Sequence, residues 1–316
     1  MTGFSENSTV LITGASSFTG RFVIDKFLKQ SKVTLILTSR KPDLLKDFGH
    51  ERVRIETGDL LHPESFERLF QNYPITHVIH LAAMARLRDG ELNPVENIKV
   101  NFFGTAHLVK LAAKHNVSAF LFTSSDLARE ATSVVGMCKY LTEELFRGPV
   151  FSSTRFVAVR MPNVIDSPGA VTLLFKKQIS QGGPVTITHE RMSRRFISGE
   201  QAADIICYAA ATGNHGELFV NLDKSKNILR LAQQMIRESG KSIAIKTIGP
   251  QPGERLDEKG YLTDEVIMTE RAGWGILKNN PKNTAEVTRI TESWQSLLSE
   301  RDMAQFASIK KEFNLC

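Results

Sequence analysis

The sequence predicts an α/β protein built on a doubly wound parallel sheet. Two patterns point there: short β-rich runs alternate with longer helical stretches from Thr9 onward, and a turn bearing Gly14 and Gly20 joins the first run to the first helix. Size is the third observation. With 316 residues, 41% hydrophobic and 23% charged, the chain has ample apolar content for a large core and too much for general disorder.

The elements follow in order. Val10 to Ile12 is the first strand, and Phe22 to Lys29 reads as its helix. Val33 to Leu37 is the second strand, ended by the polar Thr38-Ser39-Arg40-Lys41. Val53 to Glu56 is the third, followed by Gly58-Asp59 and a helix over Pro63 to Phe70. His77 to Leu81 is the fourth, with a long helix from Pro94 to His115 behind it. Phe120 to Thr123 is the fifth; a helix over Gly136 to Phe146 leads to the sixth, Ser153 to Arg160. Successive βα units from the N-terminus make a Rossmann sheet, assigned here to residues 1–162.

Beyond Met161 the rhythm breaks. Gly, Pro and Ser recur at Pro162, Ser167, Pro168, Gly169, Gly182, Gly183 and Pro184, and the strands become short. A helix over Ser198 to Ala211 and a strand over Glu217 to Asn221 are expected to return to the sheet, so residues 198–222 complete it. Residues 163–197 and 223–316 then form a smaller substrate lobe, with an amphipathic helix over Ile228 to Ser239 and a charged one over Glu286 to Glu300.

Charge and cysteine usage narrow the class. Forty basic against 34 acidic side chains give a net charge of +6 and a pI near 9.2. The basic residues are scattered, which fits an anionic small molecule and not nucleic acid. Cys138, Cys207 and Cys316 are odd in number and show no C-x-x-C spacing, so neither a disulfide framework nor a metal site is expected. Met1 to Ser8 lacks the pattern of a secretion signal, and no apolar run is long enough to span a bilayer. A soluble, cytoplasmic protein is the expectation.

Thr13-Gly14-Ala15-Ser16-Ser17-Phe18-Thr19-Gly20 lies between a strand and a helix, where a dinucleotide's pyrophosphate meets free N–H groups and the positive end of the helix dipole. Gly14 permits the tight turn and Gly20 the close packing of helix on strand, while Ser17 stands where a middle glycine is usual. At the end of the second strand Ser39, Arg40 and Lys41 replace the carboxylate that grips the ribose hydroxyls of NAD. They suit a 2′-phosphate, so NADP is expected and NAD is the alternative. Asp59 is a candidate for the adenine pocket, with capping of the next helix as its other role.

These motifs, with His80-Leu81-Ala82-Ala83, Asn93-Pro94, Asn101 and Gly104-Thr105, resemble the extended short-chain dehydrogenase/reductases. Within that superfamily, Gly182 to His189, Met192-Ser193-Arg194, Pro252-Gly253-Glu254-Arg255-Leu256 and Leu262 to Glu265 resemble the bacterial UDP-N-acetylglucosamine 4,6-dehydratases of capsule and glycan biosynthesis. The resemblance adds Leu60, Leu81, Ala82, Ala83 and Asn101 to the cofactor residues. It implies a UDP-sugar substrate and a homo-oligomer.

In that family the fifth strand runs into S-T-D-K-A, and a Y/M-x-x-x-K segment follows. This chain reads Ser124-Ser125-Asp126-Leu127-Ala128 and Val135-Gly136-Met137-Cys138-Lys139. The resemblance assigns Lys139 to the nicotinamide ribose, Ser125 to the reacting sugar hydroxyl and Asp126 to protonation of the leaving hydroxyl. Leu127 stands in place of a lysine and Val135 in place of tyrosine or methionine. Neither can move a proton, and losing a general base costs about 10²–10⁴ in rate. The alternatives are therefore a ketoreductase or epimerase, or a homologue that binds without turnover. By the same resemblance Asn163, Arg194 and Glu254 contact the nucleotide sugar, with Arg194 on its diphosphate.

Overall fold

The computed structural model describes residues 3–147, 153–262 and 265–278, together with Arg289 and Glu292. Seven parallel strands form most of one sheet: β1 Thr9–Thr13, β2 Thr34–Ser39, β3 Val53–Thr57, β4 His77–His80, β5 Ala119–Ser125, β6 Arg155–Met161 and β7 Leu218–Asn221. Two more, β8 Val266–Met268 and β9 Trp274–Leu277, extend it antiparallel beyond β7. The order across the sheet is β8-β9-β7-β6-β5-β4-β1-β2-β3. The reversal between β1 and β4 makes the sheet doubly wound and opens a crevice at the carboxyl ends of the strands.

The strand sequences alternate by face, as a period of two demands. Val10, Ile12, Leu35, Leu37, Ile79, Leu121, Val157, Val159 and Phe219 belong to one buried cluster. Their neighbours Leu11, Ile36, Val78, Phe120, Phe122, Phe156, Ala158, Leu218 and Val220 belong to another. Helices α1 Phe18–Gln30 and, later in the chain, Gly199–Thr212 cover the first face, through Val23, Ile24, Phe27 and Ala202 to Ala210. Helix α2 Glu64–Asn72 covers the second, through Phe66, Leu69 and Phe70.

The stretch predicted as one helix from Pro94 is three. After α3 Leu87–Leu92, α4 Pro94–Ile98 passes into a π-helical segment, Lys99–Gly104, and then into α5 Thr105–Lys114. Asn101 lies in the π-helical turn, and Thr105 Oγ1 donates back to its carbonyl at 2.8 Å. Such turns insert one residue, rotate the side chains that follow, and concentrate at functional sites. Helix α6 Val134–Arg147 then precedes β6.

The smaller lobe has its own core. Phe175 and Ile179 on α7 Val171–Ser180, Ile228, Ala232 and Ile236 on the helix Ile228–Glu238, and Val185, Ile187 and Met192 between them form one buried cluster. Strands there are short: Val185–Ile187 pairs with Ile245–Thr247, and Ser193–Arg194 with Lys226–Asn227. The strand over 218–221 joins the sheet as expected, but so do residues 266–268 and 274–277, which the sequence assigned to the lobe. These runs are three and four residues long and follow loops, too short for a visible period. The charged helix expected over 286–300 lies outside the described residues.

Candidate functional site

The carboxyl ends of β1 to β4 surround a cleft of about 670 Å³. Gly14 turns out of β1 with φ +64°, and a Cβ there would lie 2.6 Å from the Ala82 nitrogen, so no side chain fits without moving β4's exit loop. Ser17 caps α1, its side chain accepting from Gly20 N–H at 3.0 Å. The helix therefore begins at the cleft wall, with the first-turn N–H groups that lack intrahelical acceptors. Ser16 and Ser39 share a hydroxyl hydrogen bond of 2.9 Å, and Ser39 Oγ accepts from Lys41 N–H at 3.1 Å. This fixes the turn that carries the exposed Arg40 and Lys41.

Of the predicted cofactor residues, Gly14, Ser16, Ser17, Ser39, Arg40, Lys41, Asp59, Leu60, Leu81, Ala82 and Ala83 line this cleft. Asp59 also accepts from Leu61 N–H at 3.0 Å in the turn before α2, so it stabilises local structure while it lines the cleft. Phe18, Thr19 and Gly20 are not on the lining; Gly20 packs against the Ala15 carbonyl. Asn101 is also off it. Its amide accepts from Met84 N–H at 2.8 Å and donates to Met84 C=O at 3.0 Å, so it clamps the loop whose residues Leu81 to Met84 form the wall. His80, below them, bridges Thr13 at 2.6 Å and Thr105 at 2.9 Å; burial, with help from Lys139, holds its imidazole down to about 3. It is a neutral structural link.

Where the first cleft ends at Met84, a second cavity of about 640 Å³ begins at Ala85. It runs between the sheet and the small lobe, and it brings together Ser125, Asp126, Asn163, Arg194 and Glu254, residues from four parts of the chain. Ser125 Oγ accepts from Leu127 N–H at 3.3 Å, capping a short 3-10 turn, Asp126–Ala128, that holds the loop. Leu127 faces the same cavity. Val135 does not: it is buried, with its Cγ2 2.8 Å from where a Gly90 Cβ would stand.

Asp126 is 2% exposed and pairs with Arg195 at 2.8 Å. Its other oxygen has no hydrogen-bond partner among the described residues and sits under Gly260. Burial pushes the carboxyl up to about 7 against the opposing pull of Arg195. Lys139 is also buried, and it lines neither cavity. Its Nζ donates to Thr123 C=O at 2.7 Å and lies 4.5 Å from the centre of the Phe122 ring, and burial lowers the ammonium to about 8. Arg194 pairs with Glu258 at 2.9 Å, and Glu254 accepts from Gln251 N–H at 2.9 Å.

Several contributors were missed from the sequence. Glu143 is fully buried and takes a two-point grip from Arg160, at 2.8 and 2.5 Å, plus the Ser124 hydroxyl. Arg160 also donates to Gly260 C=O at 2.6 Å, and Arg195 to Glu258 C=O at 2.9 Å. Segment 253–261 is thus tied by buried guanidiniums to the loop after β5, through Arg195, and to α6, through Arg160. The one legible signal was Glu143 itself, four residues after Lys139 and so on the same helical face.

A family profile described as polysaccharide biosynthesis protein matches residues 10–274. The chain belongs to that family. This polysaccharide biosynthesis family member is 34% identical to the capsular polysaccharide biosynthesis protein CapD of Staphylococcus aureus, over 82% of this chain and 46% of CapD. It therefore spans about half the length of that relative. It is 30% identical to an uncharacterized membrane protein of Methanocaldococcus jannaschii, with 85% of each chain covered. No helix among the described residues is long and apolar enough to cross a membrane. Pen from Bacillus thuringiensis has a similar structure, with a TM-score of 0.79, 29% identity and 88% of each chain covered. The same fold recurs in a UDP-N-acetylglucosamine 4-epimerase from Methanobrevibacter ruminantium, at a TM-score of 0.69 and 22% identity, covering 82% of this chain and 91% of that one. The family member is thus an extended short-chain dehydrogenase/reductase with a Rossmann sheet.

Proposed function

We propose that this protein modifies a nucleotide sugar by hydride exchange with NADP, in the manner of a UDP-N-acetylglucosamine 4,6-dehydratase. One observation carries the reading. Two cavities meet at residues 84 and 85, one lined by the turn at Gly14 with Arg40 and Lys41, the other by Ser125, Asp126, Asn163, Arg194 and Glu254. The glycine turn, the start of α1 and the two exposed cations fit a dinucleotide bearing a 2′-phosphate. A nicotinamide bound there supplies the acceptor and donor of the hydride.

The residues of this chain do the rest. Ser125 orients the sugar hydroxyl. Asp126, held near neutrality, keeps a proton available for the leaving hydroxyl. Lys139 holds a positive field beneath the site through Thr123 and Phe122. Residues 1–162 with 198–222 serve the cofactor, and the remaining lobe serves the sugar nucleotide.

Leu127 and Val135 favour a second reading. Leu127 is aliphatic at the cavity and Val135 is turned away from it, so the relay lacks two proton carriers. An epimerase or ketoreductase, or a homologue that binds without turnover, needs fewer of them. Incubating the purified protein with NADP and UDP-N-acetylglucosamine separates these readings. The dehydratase reading expects a 4-keto sugar product. A product epimeric at carbon 4 supports the second reading. No product, with both ligands bound in titrations, leaves only a binding role.

A further inference from the structure

Two guanidiniums in the second cavity have no role in what has been described. Arg86 and Arg88 follow directly on the loop that walls the first cleft, and both line the second cavity beside Ser125 to Leu127. Both are exposed, and among the described residues neither makes an ion pair or side-chain hydrogen bond. The carboxylates of the cavity are engaged elsewhere: Asp126 with Arg195, Glu258 with Arg194, Glu254 with the Gln251 N–H. On their own segment, Glu91 accepts from Val134 N–H at 2.8 Å, and Asp89 pairs with neither arginine. Two exposed cations without a paired carboxylate make this part of the cavity wall positive, a field that favours an anion.

Their position decides which anion. The loops after β4 and β5 are adjacent in the sheet, so Arg86 and Arg88 stand at the end of the cavity that holds Ser125 and Asp126. Asn163, Arg194 and Glu254 come from after β6 and from the small lobe. We propose that Arg86 and Arg88 select a nucleotide sugar carrying a carboxylate on the sugar itself, a uronate or a carboxyalkyl ether. This rests on the nucleotide-sugar reading above. A carboxylate at carbon 6 would remove the hydroxyl that dehydration expels, so a uronate belongs to the epimerase or ketoreductase arm.

Calorimetric titration of the full chain with NADP present tests this. The ligands are UDP, UDP-glucose against UDP-glucuronate, and UDP-N-acetylglucosamine against UDP-N-acetylmuramate. At least one acid should bind about tenfold or more tighter than its neutral counterpart, the scale of one charge-assisted contact. In the double variant R86A/R88A that ratio should fall to about one, and in R86K/R88K it should stay partly above one. Two results overturn the proposal: neither acid is preferred, or R86A/R88A weakens UDP as much as the acid, which puts the pair on the diphosphate. If UDP itself does not bind, the nucleotide-sugar reading fails, and this proposal with it.

Discussion

Asp126, Lys139 and His80 lie within one buried region, and burial acts on each with the sign its charge dictates. The carboxyl is raised to about 7, the ammonium lowered to about 8 and the imidazole lowered to about 3. For His80 this has a measurable consequence. An unfolded imidazole takes up a proton near pH 6.5, whereas the folded one stays neutral down to about 3. Its contribution is full above pH 6.5 and is lost as pH falls toward 3. Asp126 works in the opposite sense, favouring the folded state at the acidic side of its raised value. Comparing the protein with His80→Gln in urea melts isolates the imidazole: the stability difference should shrink by about 1.4 kcal/mol per pH unit below about 6.5. A difference that does not change with pH would mean that His80 is charged or exposed in the folded state. The type and place of these three residues are legible in the sequence; their burial is not, because it comes from Phe122, Gly260 and Arg195, which lie distant in the chain or carry no visible motif.

At the scale of elements, the turn over Thr13 to Gly20 and the strands β1 to β7 were readable because each has its own local signature: alternating apolar residues, then a glycine turn, then a helix cap. The π-helical segment Lys99–Gly104 was not readable, because its residues suit an ordinary helix as well. What sets it is tertiary: Asn101 bonds to Met84, Thr105 bonds to His80, and a Cβ on Gly104 would stand 2.7 Å from Leu60 Cβ. Asn101→Ala removes both of its bonds to Met84 and leaves the Met84 N–H without its acceptor, while Asn97 still donates to the Met84 carbonyl at 3.0 Å, at a cost of about 1–3 kcal/mol. Part of that cost should appear as weaker binding of the dinucleotide proposed for the cleft, since Leu81 to Met84 form its wall. A titration showing unchanged affinity, in a variant with lowered stability, would restrict Asn101 to a folding role. Strands β8 and β9 escape the sequence for a related reason: β9 pairs with β7 across a long stretch of chain, β8 joins the sheet only through β9, and three or four residues show no period.

Across the whole molecule, the sheet places two cavities end to end at the carboxyl edge of its strands, and the small lobe closes the second. The order of strands could be anticipated, because a parallel α/β chain reverses direction at β1 and β4 and ligands collect there. The buried guanidiniums Arg160 and Arg195, which tie segment 253–261 to α6 and to the loop after β5, could not. Their partners Glu143, Asp126, Glu258 and Gly260 are spread over more than 100 positions. They give the lobe its fixed seat over Ser125. In the proposed function a hydride passes between the two cavities. Rapid mixing of the NADP-loaded protein with UDP-N-acetylglucosamine and, in parallel, with UDP-glucuronate tests it by the absorbance of reduced nicotinamide. Reduced nicotinamide should form with at least one of these sugars; binding of both sugars with no reduced nicotinamide would exclude hydride transfer to them.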